Sequence, residues 1–571
     1  MFFCGTCSVM SEKQRSAELP VVWVLLVCAV SLVYANVEED EAVCTPQHVH
    51  IAYGDALDRM VIVWATRGNC TTLLEFGTSP WQLDQHAAGT SVEFWEQNFR
   101  GLHIIHLVEL TDLAASATYF YRPISNNIGK GPFYFKTPRT DLGWSPEFLV
   151  FGDLGVHTQT IPTLVEEALK GEYTALLHIG DLAYNLKDGD GLIGDQFMQL
   201  IEPVAAYLPY MTAPGNHEID SDTFTHYAHR FSMPQSPWPM SVNKLWYSFD
   251  VGPVHFVSYS SEVFFTLEGS LVQKQFDWLV ADLKKANAQR NERPWVIAFG
   301  HRPMYCSAND GDDCTKNDSL VRTGLEDVFY HFGVDIVLQG HEHNYERLYP
   351  VYKGVVVATN YTNPPAPVQI ISGAAGSKHG IDRFQPPPQP DWSAVRVDNT
   401  SLNSYGRLHV INSTHVYWEQ RSIFDGAVLD ELWIVQHRHG RFQLDDLPHN
   451  VSQEIGQNLV TYGGVSGFLD EEDSEQNKEE LVNSDKSRRI AIGVSFAVLF
   501  TMLVVVAVVT KACRRKQYTT VRRWEAMDLD YGKKLFTAGK DEDDDLEKDF
   551  EIDMGNGNLQ SRKLLSVLNN K

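Results

Sequence analysis

The chain has 571 residues, a net charge of −26 and eight cysteines. That acidity argues against nucleic acid as a partner, and so few cysteines in so long a chain exclude a disulfide scaffold. The length leaves room for several domains.

Leu19–Ala35 is an apolar stretch, short for a membrane span, that ends Val33-Tyr34-Ala35. Small or aliphatic residues three and one before a cut suit signal peptidase, so residues 1–35 read as a signal peptide; an uncleaved anchor is the alternative. Cys4, Cys7 and Cys28 fall within this leader, and Cys513 follows a second apolar segment. Cys44, Cys70, Cys306 and Cys314 remain, an even number for an oxidising compartment. Cys306 and Cys314, close in sequence, read as one bridge and Cys44–Cys70 as the other, with four free thiols as the alternative.

Residues 44–138 are strand-like, with Met60–Trp64, His103–Val108 and Thr118–Pro123 separated by polar turns. Leu110 to Leu113 followed by Tyr119-Phe120-Tyr121 suggests the tyrosine corner of an immunoglobulin-type sandwich. Without a cluster of ligand residues, this unit reads as a packing or spacer module. Residues 138–146 then form a linker.

Over residues 146–440 apolar strands alternate with helices, the pattern of an α/β layer domain. The predicted strands are Phe148–Phe151, Ala175–Ile179, Tyr210–Ala213, Trp295–Phe299 and Val334–Leu338. Ser270 and Gln273 form a capping-box pattern ahead of a helix reaching Ala288. A second helix, Leu320–Phe332, is closed by Gly333, and the proline-rich stretch Phe384–Pro390 reads as a surface loop.

Residues 445–489, with Glu471-Glu472-Asp473, read as an acidic solvated stalk. Ile490–Thr510 is 21 residues without a charge, enough to cross a bilayer as a helix. Lys511, Arg514, Arg515 and Lys516 follow it, and with a cleaved leader this predicts a type I single-pass membrane protein. The ectodomain then faces the exterior or an endolysosomal lumen, and residues 511–571 form a cytoplasmic tail. That tail carries an acidic run, Asp541–Asp545, and a pattern fitting a tyrosine-based sorting signal, Tyr518–Val521. Asn69, Asn317, Asn360, Asn399, Asn412 and Asn450 open glycosylation triplets, and none follows the membrane segment.

Five polar motifs follow the five predicted strands in order: Gly152-Asp153-Leu154-Gly155, Gly180-Asp181-Leu182-Ala183-Tyr184, Gly215-Asn216-His217-Glu218, Gly300-His301 and Gly340-His341-Glu342-His343. Loops at the carboxyl ends of strands share one edge of a sheet, where their side chains can converge. Asp153, Asp181, Tyr184, Asn216, His301, His341 and His343 therefore supply ligands for a pair of metal ions. His50, His106, His178 and His255 lie within strand patterns and read as core histidines. Arg302, beside His301, is open between anion binding and a structural salt bridge.

In these motifs the chain resembles the purple acid phosphatases, within the calcineurin-like metallophosphoesterases, and specifically their metazoan membrane-anchored type. The resemblance implies a two-sheet metallophosphoesterase domain flanked by helices, preceded by an all-β fibronectin/immunoglobulin-like sandwich. It implies a ferric ion held by Asp153, Asp181, Tyr184 and His343. A second, divalent metal (zinc, iron or manganese) would be held by Asp181, Asn216, His301 and His341, with Asp181 bridging. Carboxylates and a phenolate suit the trivalent ion, whereas an amide oxygen and imidazoles suit the divalent one. Gly155 stands where most metallophosphoesterases have a second histidine, and Tyr184 supplies the missing ligand. Five metal charges, less two carboxylates, one phenolate and a bound hydroxide, leave roughly one positive charge to hold a phosphate dianion. The implied reaction is acid hydrolysis of phosphate monoesters by attack of metal-bound hydroxide. His217 would contact phosphate or protonate the leaving group, with orientation of a metal ligand as its alternative. Plant members carry further substrate-facing histidines shortly after the His301 motif, whereas Ser307–Cys314 here has none and three acids. Phosphodiesterase action, or a catalytically weak receptor-like ectodomain, are the competing functions.

Overall fold

The structure, a computed structural model, describes residues 43–443 apart from 96–98, 103, 221–222, 267–268, 398 and 400–401. The predicted leader, stalk, membrane segment and tail, and Asn450, lie outside the described residues. No described helix is long and apolar enough to cross a membrane.

The N-terminal strands form two antiparallel sheets. One runs Gln47–Tyr53, Met60–Thr66, Ile104–Leu110, Thr90–Glu93; the other runs Gln85–Ala88, Leu73–Gly77, Thr118–Ser125, with Phe133–Lys136 also paired to the last. Trp64, fully buried between them, donates from its indole nitrogen to Ser125 Oγ at 3.0 Å. The expected tyrosine corner is present: Tyr119 Oη accepts the Ala114 amide at 2.9 Å. Cys44–Cys70 ties the start of the unit down across a Cα separation of 5.9 Å. The sandwich also packs on the α/β layers. Tyr121 donates to the Ala206 carbonyl, Tyr53 to that of Thr174, and the Val49 amide to Glu202.

The next layer is built from two inner sheets rather than one. The first has the order Tyr210–Ala213, Ala175–Ile179, Glu147–Phe151, Ser404–Val410, His415–Ser422, Val428–Val435. The second has the order Tyr247–Val251, Val254–Ser258, Trp295–Phe299, Ile336–Gln339, Val368–Ser372, Tyr345–Leu348, Ser393–Arg396. Parallel pairs join the strands that precede the polar motifs, 147–151 to 175–179 to 210–213 in one sheet and 295–299 to 336–339 in the other. These strands are buried on both faces, which is why they read as unbroken apolar runs. Phe148 and Phe256 meet edge to face across the sheets, and Trp418 donates to Tyr345 Oη. These are the two sheets that the resemblance implies, and the motif loops come from both of them, stacked face to face, rather than from the edge of one.

Helices Ile161–Leu169, Leu192–Ala205, Ser270–Ala288 and Leu320–His331 flank the sheets. The last begins at Ser319, whose hydroxyl accepts the Arg322 amide, and ends at Gly333 in a left-handed conformation. The predicted capping box at Ser270 is absent. That helix starts on Gly269 without a side-chain cap, and Gln273 instead reaches along the helix to Asp277.

The four strand histidines are core residues with local partners, as expected. His255 is held between Asp250 and Asp282 at 2.7 and 2.9 Å. Burial alone would lower its pKa, but the two carboxylates raise it from 6.5 to about 9. A raised folded-state pKa gives stability that is complete below pH 6.5 and lost as pH climbs through 9, at most about 3 kcal/mol. The urea midpoint of the wild type should therefore fall over pH 6.5–9, and His255→Gln should flatten that slope.

Candidate metal centre

The seven proposed ligand residues converge. Asp153, Asp181, Tyr184 and Asn216 leave the carboxyl ends of strands in the first sheet; His301, His341 and His343 leave those of the second. Oxygen and nitrogen atoms of Asp181, His301 and His341 lie within 4.8 Å of one another, and so do those of Asp153, Asp181 and His343. Asp181 belongs to both groups. The other candidates complete them: Asn216 Oδ1 is 3.1 Å from His301 Nε2, and Tyr184 Oη is 3.0 Å from Asp153 and 2.8 Å from His343 Nε2.

The backbone is bent to deliver these side chains. Asp153, Asp181, Tyr184 and His341 all have positive φ, at 62°, 52°, 57° and 71°. Such conformations cost free energy in non-glycine residues and collect at functional sites. The motif glycines make room: a Cβ on Gly180 would lie 2.4 Å from the His301 ring, and one on Gly215 2.3 Å from Asp181 Oδ1. Gly155 faces the Tyr184 ring, which a Cβ there would meet at 3.3 Å. The absence of a larger residue at 155 and the presence of tyrosine at 184 are one spatial exchange.

Charge is concentrated and buried. Burial opposes ionisation of Asp181, yet His301 at 3.2 Å holds its carboxylate well below the usual range. In return Asp181 overcomes the burial of His301 and raises that imidazole to about 10. Burial, then Asp153 and Asp181, push the Tyr184 phenol well above its ordinary value. Protons thus compensate the anions of this donor set, and ionising Tyr184 requires a cation among them. Hard oxygen donors with imidazoles, in two groups sharing one carboxylate, fit two metal ions.

His217 stands beside the ligands. Its amide donates to Asp181 Oδ1 at 3.0 Å, and its Nε2 is 3.7 Å from Asp181 Oδ2. Nδ1 is engaged by Asn185 Oδ1 at 2.6 Å, while the Asn185 amide is turned by Asp188. That pairing leaves Nε2 directed at the centre. Burial lowers the His217 pKa, against the pull of Asp181. Arg302 resolves as a structural cation, paired with Glu262 at 2.9 Å and Asp312 at 3.3 Å.

The sequence reading missed four supporting residues. Glu218, fully buried, accepts the amides of Asp181, Leu182 and Gly215 at 2.9, 2.9 and 2.8 Å and so ties the second motif to the third. Its place in Gly-Asn-His-Glu was visible; its role was not, because a backbone clamp leaves no spacing pattern. Asp312 contacts Nε2 of His341, orienting that ring from outside. Exposed His379, with its ring about 6 Å from His217 and His343, and Lys378 sit at the mouth. Beside them a cavity of about 300 Å³ is lined by Val156, His157, Tyr184, Asp188, Ile193 and Lys378.

Removing the shared carboxylate should empty both halves of the centre. In Asp181→Asn, iron and the second metal measured by mass spectrometry should both fall, whereas Asn216→Ala should deplete mainly one of the two. Glu218→Gln, which sets an amide NH₂ against a backbone N–H, should weaken metal retention 10–100-fold.

Comparison with known proteins agrees with this geometry. Residues 146–345 match the calcineurin-like phosphoesterase family, residues 46–148 the N-terminal domain of purple acid phosphatases and residues 366–431 the iron/zinc purple acid phosphatase-like protein C family. Acid phosphatase type 7 of Homo sapiens is 44% identical over 413 residues, covering 69% of this chain and 92% of its own. Purple acid phosphatase 22 of Arabidopsis thaliana is 33% identical over 449 residues, covering 76% and 93%. The purple acid phosphatase PPD1 from yellow lupin seeds shares the fold, with a TM-score of 0.59 at 22% identity over 69% of this chain and 75% of its own. With its shared-carboxylate centre, family matches over residues 46–345 and 366–431, and a relative 44% identical, the chain belongs to the purple acid phosphatases.

Proposed function

We propose that this binuclear metal-dependent acid phosphatase acts on phosphate monoesters, and that its iron is ferric and paired with zinc, iron(II) or manganese(II). The observation that carries the reading is Asp181, one carboxylate common to two groups of donors. Asp153, Asp181, Tyr184 and His343 would hold the ferric ion, and Asp181, Asn216, His301 and His341 the divalent one. When bound, the metals supply Lewis acidity toward phosphoryl oxygens and an activated water.

The protein's own groups do the rest. Hydrolysis joins a water oxygen to phosphorus and releases an alkoxide that needs a proton. His217, with Nδ1 fixed by Asn185 and Nε2 toward the centre, is placed to give it. Lys378 and His379 at the mouth favour a dianionic ester over a diester, and the adjoining cavity has room for the departing alcohol. Retention of every ligand residue together with the Glu218 clamp argues against a catalytically idle receptor.

The test is the pH–rate profile of the full-length protein loaded with iron and zinc, on a chromogenic monoester and the matching diester. The expected result is an optimum in acid and faster turnover of the monoester. His217→Ala should lower kcat about 100-fold with metal content unchanged. Preference for the diester would turn the reading to a phosphodiesterase.

We also propose the type I topology, with a cleaved leader, a span at 490–510 and a glycosylated ectodomain. Both disulfides and the exposure of Asn69, Asn317, Asn360, Asn399 and Asn412 support it. Glycosidase treatment of protein from secretory cells should raise its gel mobility, and an unchanged band would count against the assignment.

A further inference from the structure

Three carboxylates that the hydrolytic reading leaves unused meet beside the centre. Asp310 comes from the segment closed by Cys306–Cys314, Glu342 from between two of the proposed ligands, and Asp382 from the loop after Val368–Ser372. One oxygen of each lies within 4.8 Å of the others.

Glu342 is the informative member. It is only 1% exposed, and its Oε2 has no hydrogen-bond partner. Against Oε1, at 3.0 Å, stands the Cys314 sulfur, which is bonded to Cys306 and has no proton to donate. Its other close neighbours are Asp310, Asp312 and Asp382, with the His341 ring, itself held by Asp312, also within 4.8 Å. Asp310 accepts the Asp312 amide, and Asp382 accepts the His343 amide and lies 3.6 Å from the His343 ring. Arg302, the nearby cation, is already held by Glu262 and Asp312. Among the described residues no lysine or arginine forms an ion pair with Asp310, Glu342 or Asp382.

A buried carboxylate without donors is costly unless an opposite charge reaches it. The donors here are carboxylate oxygens alone, the preference of hard cations. Oxygens sharing a calcium ion at 2.3–2.6 Å stand up to about 5 Å apart, which this triad satisfies. Asp310 is exposed, so water can fill the remaining positions. We infer that Asp310, Glu342 and Asp382 form a third cation site, for a hard divalent ion of the calcium type. Its occupancy ties the 307–314 segment and the 382 loop to the turn that carries His341 and His343.

The experiment is calcium binding by the full-length protein with iron and zinc in place, followed by equilibrium dialysis and by thermal unfolding. Asp310→Asn, which removes none of the seven proposed ligands, and Glu342→Gln are compared with the wild type. The difference between proteins is the readout, because any calcium taken up by the acidic run Asp541–Asp545 is common to all three. The wild type should take up one more calcium per chain than either variant, with a Kd of about 10⁻⁴–10⁻³ M. Its Tm should rise with calcium more than theirs, at unchanged iron and zinc content. Equal uptake by the wild type and Asp310→Asn would overturn the site and leave Glu342 neutralised by a proton. Since calcium content is read without turnover, the result is independent of the substrate assignment.

Discussion

The structure depends on one buried negative charge. Asp181 is 1% exposed, sits on a residue with positive φ and touches His301, the His217 amide and, through its own amide, Glu218. A carboxylate removed from water in this way must be surrounded by opposite charge and donors. Meeting that demand accounts for much of the local design: the glycines that let neighbours approach, the bent backbone of four motif residues, and Glu218 gathering three amides from two loops. The same charge belongs to both donor groups, so the two halves of the centre are one electrostatic object.

Much of this was legible in the sequence. Strands buried on both faces appear as apolar runs, and Ala175–Ile179, Tyr210–Ala213 and Trp295–Phe299 were bounded to the residue. A polar motif directly after each run placed the side chains, because a strand end leaves little freedom for the next few residues. Less legible was which sheet each strand joins. Glu147–Phe151 pairs with Ser404–Val410, a partner more than 250 residues away, and no local pattern announces it. The capping box at Ser270 failed for a related reason: the helix begins one residue earlier, and tertiary contacts rather than the cap hold it.

The supporting groups were the hardest to read. Glu218 acts through backbone amides, Asp312 through a ligand's far nitrogen, and His379 by reaching the mouth from another loop. None has a defined spacing from the residue it serves. The pairing of Gly155 with Tyr184 shows the converse case. There the family resemblance implied the exchange, and the structure adds the steric reason that the two residues belong together.

Strand order also bears on how the protein is made. The N-terminal sandwich is contiguous in sequence, so it can close while later residues are still being synthesised. The first inner sheet cannot: its strand Glu147–Phe151, which leads into Asp153, lies between Ala175–Ile179 and the late-arriving Ser404–Val410. All seven ligand residues therefore leave the ribosome before the two sheets that position them are complete. Until then they are loose carboxylates and imidazoles, with affinity for whatever metal is at hand. Correct loading therefore waits for the last strands to dock, and depends on the metals present where they do so.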